Sequence, residues 1–338
     1  MRKYKVIYYI NMVVLIFFLN SFLVADGQYA LSSYNDYLPF SKKRVYKELV
    51  KDNTVDKTLT DNNLLWYPMA IYCPQQQGEY PLILLTHGWN DTQKTHQALA
   101  RFLASYGFVT VVFTSANQRH PENWIAAFDT VLKILHKEAE NPDRKFYKKI
   151  NFSNMGIIGH SMGGTAALHY GNLHPEFIKT VIALHPFNGA SKIIDTISGG
   201  NKFLGDSLPN MQSAVLIITG TKDVVAYPEK TYLFYKNLPK DIPACFLSFK
   251  DYKHNHPIEK KSLNVFTADL SGRYEPEKYQ QYRRVICYWE LLFLKQQEEN
   301  RMYFTEFGKG FKEIKPLLEG KTGDASYVPA FEEQNISK

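Results

Sequence analysis

Three cysteines in 338 residues, Cys73, Cys245 and Cys287, are too few and too widely spaced for a disulfide scaffold. No C-x-x-C pair and no histidine-rich cluster accompanies them, so a structural zinc site is not expected either. Outside the cytosol one bridge could form, Cys245–Cys287 being the best placed, and buried free thiols are the equal alternative. The chain also lacks internal repeats and low-complexity linkers, which excludes solenoids and strings of small modules. Beyond the first 27 residues no apolar run is long enough to cross a bilayer. The formal charge is +7, but no stripe of basic and aromatic residues is present. The excess therefore reads as a solubility property, and nucleic acid is not expected as a partner.

What the chain does have begins at its N-terminus. Met1-Arg2-Lys3-Tyr4-Lys5 is a positive segment, and Val6 to Val24 is an apolar run interrupted by Asn11, Asn20 and Ser21. Ala25-Asp26-Gly27 then offers small residues at the two positions a signal peptidase inspects, so residues 1–27 read as an export signal. An uncleaved anchor is the alternative, because about 19 residues just span a bilayer. In that case this segment is the only membrane contact. The polar interruptions favour cleavage, which leaves a charge of +5 on an exported chain, periplasmic or extracellular. Residues 28–298 read as one catalytic domain. Residues 299–338, with Phe304, Phe307, Phe311, Leu317 and Leu318, read as an appendage to which the sequence assigns no role.

The body is 45% hydrophobic and 14% aromatic, enough for a sizeable core. Residues 28–62 give few periodic cues and are expected to wrap its outside. From Trp66 onward short apolar strands alternate with helices. Strands are expected over Pro68–Cys73, Pro81–Thr86, Phe108–Phe113, Met155–Ile158, Val181–Leu184, Ala214–Thr219 and Ala244–Phe249. Helices are expected over Thr95–Tyr106, closed by Gly107, and over Asn123–Glu140. Tyr282, Ile286, Trp289 and Phe293 mark the buried face of a long closing helix. This alternation implies an α/β fold whose mostly parallel central sheet has helices on both faces.

The most informative segment is Gly159-His160-Ser161-Met162-Gly163-Gly164, which follows the strand Met155-Gly156-Ile157-Ile158 and runs into Thr165-Ala166-Ala167-Leu168. Strand, G-x-S-x-G, helix is a nucleophile elbow, with Ser161 standing clear of the sheet on a strained turn. Gly159 and Gly163 are required because strand and helix cross too closely there for a Cβ. A serine hydroxyl needs a base to take its proton, an acid to hold that base, and donors where the oxyanion forms. In such a sheet the acid and then the base follow the serine in chain order, each just beyond a strand. Asp223 ends the strand-and-turn run Ala214 to Lys222 and is the candidate acid. Asp195 and Asp206 follow no convincing strand. Two histidines, His254 and His256, lie just past Ala244–Phe249. His254 is preferred because it is nearer the strand end, and His256 is then expected either to line the cleft or to donate a hydrogen bond from behind the triad. The other histidines read as surface or core groups. The oxyanion donors expected are the backbone N–H groups of Met162, at a helix start, and of Trp89 in His87-Gly88-Trp89.

These segments together resemble the α/β-hydrolase superfamily. Within it the chain is similar to the lidless group that holds cutinase-like polyester hydrolases, platelet-activating-factor acetylhydrolases, chlorophyllases and dienelactone hydrolases. The resemblance covers about residues 66–297. It is carried by Tyr80 to Trp89, Leu103 to Val109, Gly159 to Gly164, Ile217 to Asp223 and the His254 segment. It implies an α/β-hydrolase fold, puts the family's histidine on His254, and matches Pro257 to a common proline. His185-Pro186-Phe187 departs from the Ala-Pro-Trp usual in cutinase-like members, and Trp89 stands where they often have Tyr or Phe.

The function expected is that of an exported serine hydrolase of carboxylic esters with the triad Ser161, His254 and Asp223. No metal or organic cofactor is expected. Only 62 positions separate Ser161 from Asp223, too few for a large cap domain. An open cleft walled by Trp89, Phe187 and Tyr227 is therefore expected, suited to short or medium acyl esters or to a lipid or polymer surface. The rivals are a peptidase or thioesterase of the same fold, and a hydrolase fold without activity used for binding or adhesion.

Overall fold

The computed structural model describes residues 68–115, 118, 121–187, 189, 204–259 and 271–305, with residues 45–50 and 327–328 described by their backbone. The expected export signal and most of residues 28–62 and 306–338 lie outside this set, as does Asp195. The strands are β1 Val45–Val50, β2 Met69–Pro74, β3 Tyr80–Thr86, β4 Val109–Phe113, β5 Ile150–His160, β6 Ile178–Leu184, β7 Ala214–Gly220, β8 Ala244–Phe249 and β9 Tyr327–Val328. The helices are α1 Gln97–Ser105, α2 Pro121–Ala139, α3 Met162–Leu173, α4 Pro228–Lys236 and α5 Pro276–Phe293. All the strands join one sheet in the order β1-β2-β4-β3-β5-β6-β7-β8-β9. The six from β4 to β8 in that order run parallel, while β2, β1 and β9 add antiparallel edges. Residues 45–50, expected to wrap the outside, instead form an edge strand paired with β2.

The apolar strand runs have no polar face because both faces of the sheet are covered. Successive side chains alternate between two cores. Ile83, Leu85, Ile158, Ile182, Leu184, Leu216 and Ile218 pack with residues of α1 and α5 on one side. Leu82, Leu84, Ile157, Val181, Ala183, Val215 and Ile217 pack with residues of α2, α3 and α4 on the other. Tyr303 and Phe304, just beyond residue 298, are buried in the first of these layers. Cys73, Cys245 and Cys287 are all buried free thiols, so the Cys245–Cys287 bridge is not formed. Burial pushes the Cys287 thiol well above its usual range, with the carboxyl of Glu290 adding to the effect. No helix among the described residues is long and apolar enough to cross a membrane.

Helix α5 is buried almost all round, not along one stripe, and carries Glu290 into the core. There its Oε2 meets the Thr180 hydroxyl at 2.7 Å, and a Cβ on Gly156 would crowd both carboxyl oxygens. Burial raises this carboxyl to about 8, against the Thr180 bond that lowers it. The unfolded chain releases this proton near pH 4.5 while the folded chain keeps it, so stability falls as pH rises from about 4.5 to about 8. Glu290→Gln removes that slope. Its unfolding temperature relative to the unaltered protein should climb steadily over this window, toward at most about 5 kcal/mol of relative stabilisation at pH 8. Parallel pH profiles of thermal unfolding for the two proteins would contradict the assignment.

Candidate active site

The carboxyl ends of five adjacent parallel strands deliver the site, where such sheets collect their chemistry. From β5 the chain turns sharply at Ser161, whose φ of 55° and ψ of −121° lie in a strained region for a residue with a side chain. The turn is tight because strand and helix cross in contact. A Cβ on Gly159 would strike the Gly163 backbone, and one on Gly163 would strike the His87 carbonyl. The Ser161 N–H donates to Leu184 O at 2.9 Å, and its own carbonyl accepts from Gly164, Thr165 and Phe187. The elbow is thereby fixed to the ends of β6 and α3.

Beyond β3, His87 sets the next loop. Its Nδ1–H donates to Gly88 O at 2.6 Å and its Nε2 accepts from Ser115 N–H at 3.1 Å, a neutral tautomer. Burial holds this imidazole down to about 4. Peptide planarity means that pinning the Gly88 carbonyl also aims the Trp89 N–H, in the opposite direction. Gly88 lies against the nucleophile, since a Cβ there would sit 2.9 Å from Ser161 Cβ and 3.5 Å from its Oγ.

Asp223 follows β7 on a turn in which Thr221 N–H donates to Phe249 O and Lys222 N–H to Tyr252 O, which ties it to the end of β8. Gly220 allows this approach, because a Cβ there would hit the Tyr252 carbonyl. The Asp223 carboxylate is fully buried and fully used. Oδ1 accepts from Val225 N–H at 2.8 Å and Ala226 N–H at 2.9 Å. Oδ2 accepts from His254 Nδ1 at 2.8 Å and His185 Nδ1 at 2.6 Å. Burial alone would raise this carboxyl, but the electrostatic pull of His254 and the hydrogen bonds from both imidazoles win and hold it far below the usual carboxylate range. Distances of 2.6 and 2.8 Å suit shared protons. Although His185, Asp223 and His254 place ligand-type atoms within 4.8 Å of one another, a metal bridging them at about 2.0–2.2 Å per bond would hold the N and O atoms farther apart.

His254 is positioned by its backbone as well as its ring. His160, the residue before the nucleophile, donates Nε2–H to His254 O at 2.8 Å. Its ring lies tilted against that of His254, with centroids 4.8 Å apart. Burial, reinforced by the neighbouring imidazoles of His254, His96 and His185, keeps His160 neutral, well below its usual range. The rest of the His254 loop is anchored by Asn255 to Ser271 and by Glu259, which accepts from Ala98 N–H at the start of α1 at 2.7 Å.

Ser161, Asp223 and His254 thus sit on neighbouring strand ends, with Met162 opening α3 directly after the serine. Trp89 and Tyr227 are half-buried near the strand ends, and Val224 beside Asp223 is 45% exposed. Two more of the residues considered for the cleft are buried side chains. Phe187 is buried among the core side chains on the α2–α4 side of the sheet. His256 is buried too, its Nδ1 accepting from Lys253 N–H at 2.8 Å and its Nε2 meeting Glu275 at 3.0 Å, so it latches the loop to the start of α5. His185, read from sequence as a surface or core group, and Tyr282, read as core, are the missed members. Their only sequence signal was a polar residue set directly after β6, where the resemblance leads one to expect alanine.

The chlorophyllase family model matches residues 44–296. Cutinase est1 of Thermobifida alba is 24% identical over 222 residues, 64% of this chain and 68% of its own length. Cutinase cut1 of Thermobifida fusca is 25% identical over 222 residues, 64% of this chain and 63% of its own. Chlorophyllase-1 of Arabidopsis thaliana is 25% identical over 150 residues, 42% of this chain and 46% of its own. With three-quarters of the chain matched and an α/β-hydrolase sheet beneath the match, the chain belongs to the chlorophyllase family and is a carboxylic ester hydrolase.

Proposed function

We propose that this chain is an exported serine esterase working through an acyl-enzyme. Ser161 Oγ attacks the acyl carbon and its proton passes to His254 Nε2. Asp223 holds the opposite nitrogen as Nδ1–H, which leaves Nε2 as the lone-pair face, and stabilises the imidazolium that forms. The oxyanion is received by the N–H groups of Met162 and Trp89. His254 then returns the proton to the leaving alcohol. A water attacks the acyl-enzyme by the same route, losing its proton to His254, which passes it back to Ser161 as the acid departs.

The observation that carries this reading is the strained Ser161 backbone on one strand end with a buried, ionised Asp223 bound to His254 two strands away. The half-buried rim of Trp89 and Tyr227 supports short or medium acyl groups or an accessible lipid or polymer surface, and the relatives named cutinase favour the latter. Export rests on the basic-then-apolar segment of residues 1–24. A fluorophosphonate probe should label the exported protein at Ser161. A series of p-nitrophenyl esters from acetate to palmitate, run beside a polyester film, should show fastest turnover at the short and middle lengths. Thioester and anilide analogues should be slower. Labelling at another residue, or anilide turnover equal to ester turnover, would sink the proposal.

A further inference from the structure

The carboxylate of Asp223 holds one more imidazole than the proposed mechanism uses. His185 directly follows β6, is buried, and has a φ of 47° that few residues with a side chain accept. Its N–H is bound to Ile218 O at 2.7 Å, so its backbone is fixed at the end of β7 as well as β6. The ring is gripped at both nitrogens, with Nδ1 2.6 Å from Asp223 Oδ2 and Nε2 2.6 Å from the Tyr282 hydroxyl on α5.

Proton bookkeeping leaves one arrangement. The carboxylate can only accept, so Nδ1 must carry the proton it donates. Burial pushes His185 below the usual imidazole range, against the pull of Asp223, so the ring is neutral and its Nε2 is a lone pair. Tyr282, whose phenol burial pushes well above its usual range, keeps its proton and donates it to that Nε2. The result is a directed chain from the Tyr282 O–H to His185, and from the His185 N–H to the same carboxylate oxygen that holds His254.

We infer that His185, locked by Tyr282, is a positioning residue for the acid–base pair, orienting the Asp223 carboxylate that holds His254 and sharing its charge between two imidazoles. This rests on Ser161, His254 and Asp223 acting as the triad. Four donors compete for one negative charge, two backbone N–H groups on Oδ1 and two imidazoles on Oδ2. Removing one concentrates charge on those that remain, and His254 is the one that can respond by holding a proton. The other titratable groups around this pair are His160 from β5, with His96 behind it, Tyr252 and His256 from the loop after β8, and Tyr282, Glu275 and Lys278 from α5 and its approach. His160, His96 and His256 are held neutral by burial, so they supply no competing charge in the working range.

The test is the pH profile of kcat/KM on p-nitrophenyl butyrate for His185→Asn, which tolerates a positive φ but is too short to span Asp223 and Tyr282, and for Tyr282→Phe, which deletes one hydroxyl. The acidic limb should move to higher pH by about one unit in His185→Asn and in the same direction, by less, in Tyr282→Phe. The plateau should fall by roughly 10- to 100-fold in the first. His185→Gln, which regains an N–H with greater reach, should restore part of both. Proton NMR should show two strongly deshielded imidazole N–H signals in the unaltered protein and one in His185→Asn. An acidic limb unmoved in Tyr282→Phe would overturn the inference even if the histidine variants fail to fold. Fluorophosphonate labelling of Ser161 in the same preparations reads the triad separately, so failure of that assignment is distinguishable from failure of this one.

Discussion

Ser161→Ala should abolish hydrolysis of p-nitrophenyl butyrate, lowering kcat/KM by at least about 10⁴-fold, while the unfolding temperature stays nearly unchanged. The size follows from what a missing nucleophile removes, since no acyl-enzyme forms and only binding and the oxyanion donors remain. The small structural cost follows from where the hydroxyl sits. The bonds that hold the elbow are made by the Ser161 backbone, to Leu184, Gly164, Thr165 and Phe187, and alanine keeps every one of them. The strained φ of 55° is borne equally by alanine, so strain does not distinguish the two proteins. Fluorophosphonate labelling should disappear with the activity. A folded Ser161→Ala enzyme with normal turnover would remove the nucleophile assignment and leave the elbow as a packing device.

Much of this site could be read before the structure because its parts are placed by rules that act locally. Short apolar runs buried on both faces announce β3 to β8, and polar residues set just after them, Ser161, Asp223 and His254, fall in an order that fits acyl transfer. The glycines at 159 and 163 announce a crossing that the backbone contacts bear out. What stayed hidden depends on side-chain direction. At the end of a strand nothing in the sequence tells whether a ring turns into the core, as Phe187 does, or into the loop, as His256 does. Tyr282 falls on the same face of α5 as Ile286 and Trp289, where only its hydroxyl partner sets it apart from core packing. Glu290 carries no sequence signal of its burial, which follows from α5 being buried nearly all round. β1 escaped because Val45-Tyr46-Lys47-Glu48-Leu49-Val50 has charges at its centre, as an edge strand tolerates and an inner strand of this sheet would not.

Asp223→Asn should be nearly as damaging as loss of the nucleophile, about 10⁴-fold in kcat/KM, with the fold intact. The two backbone N–H groups of Val225 and Ala226 cannot turn away, so the amide oxygen must take the place of Oδ1. The amide NH₂ is then forced into the place of Oδ2, facing both imidazoles with donors where they now present donors. Each ring can accept one of its two protons only by moving its own proton to Nε2. His185 can do this at small cost, because the Tyr282 hydroxyl can rotate to accept what it formerly donated to. His254 can do it only by presenting Nε2–H to Ser161, which leaves no lone pair to take the serine proton. The serine is left without a base, and the chemistry stops. The pattern that tests this is specific: thermal unfolding of Asp223→Asn within a few degrees of the unaltered protein, and both deshielded imidazole N–H signals lost together. Asp223→Asn retaining a tenth or more of the activity would show that the tautomer of His254 is set elsewhere, and Asp223 would lose its place as the acid.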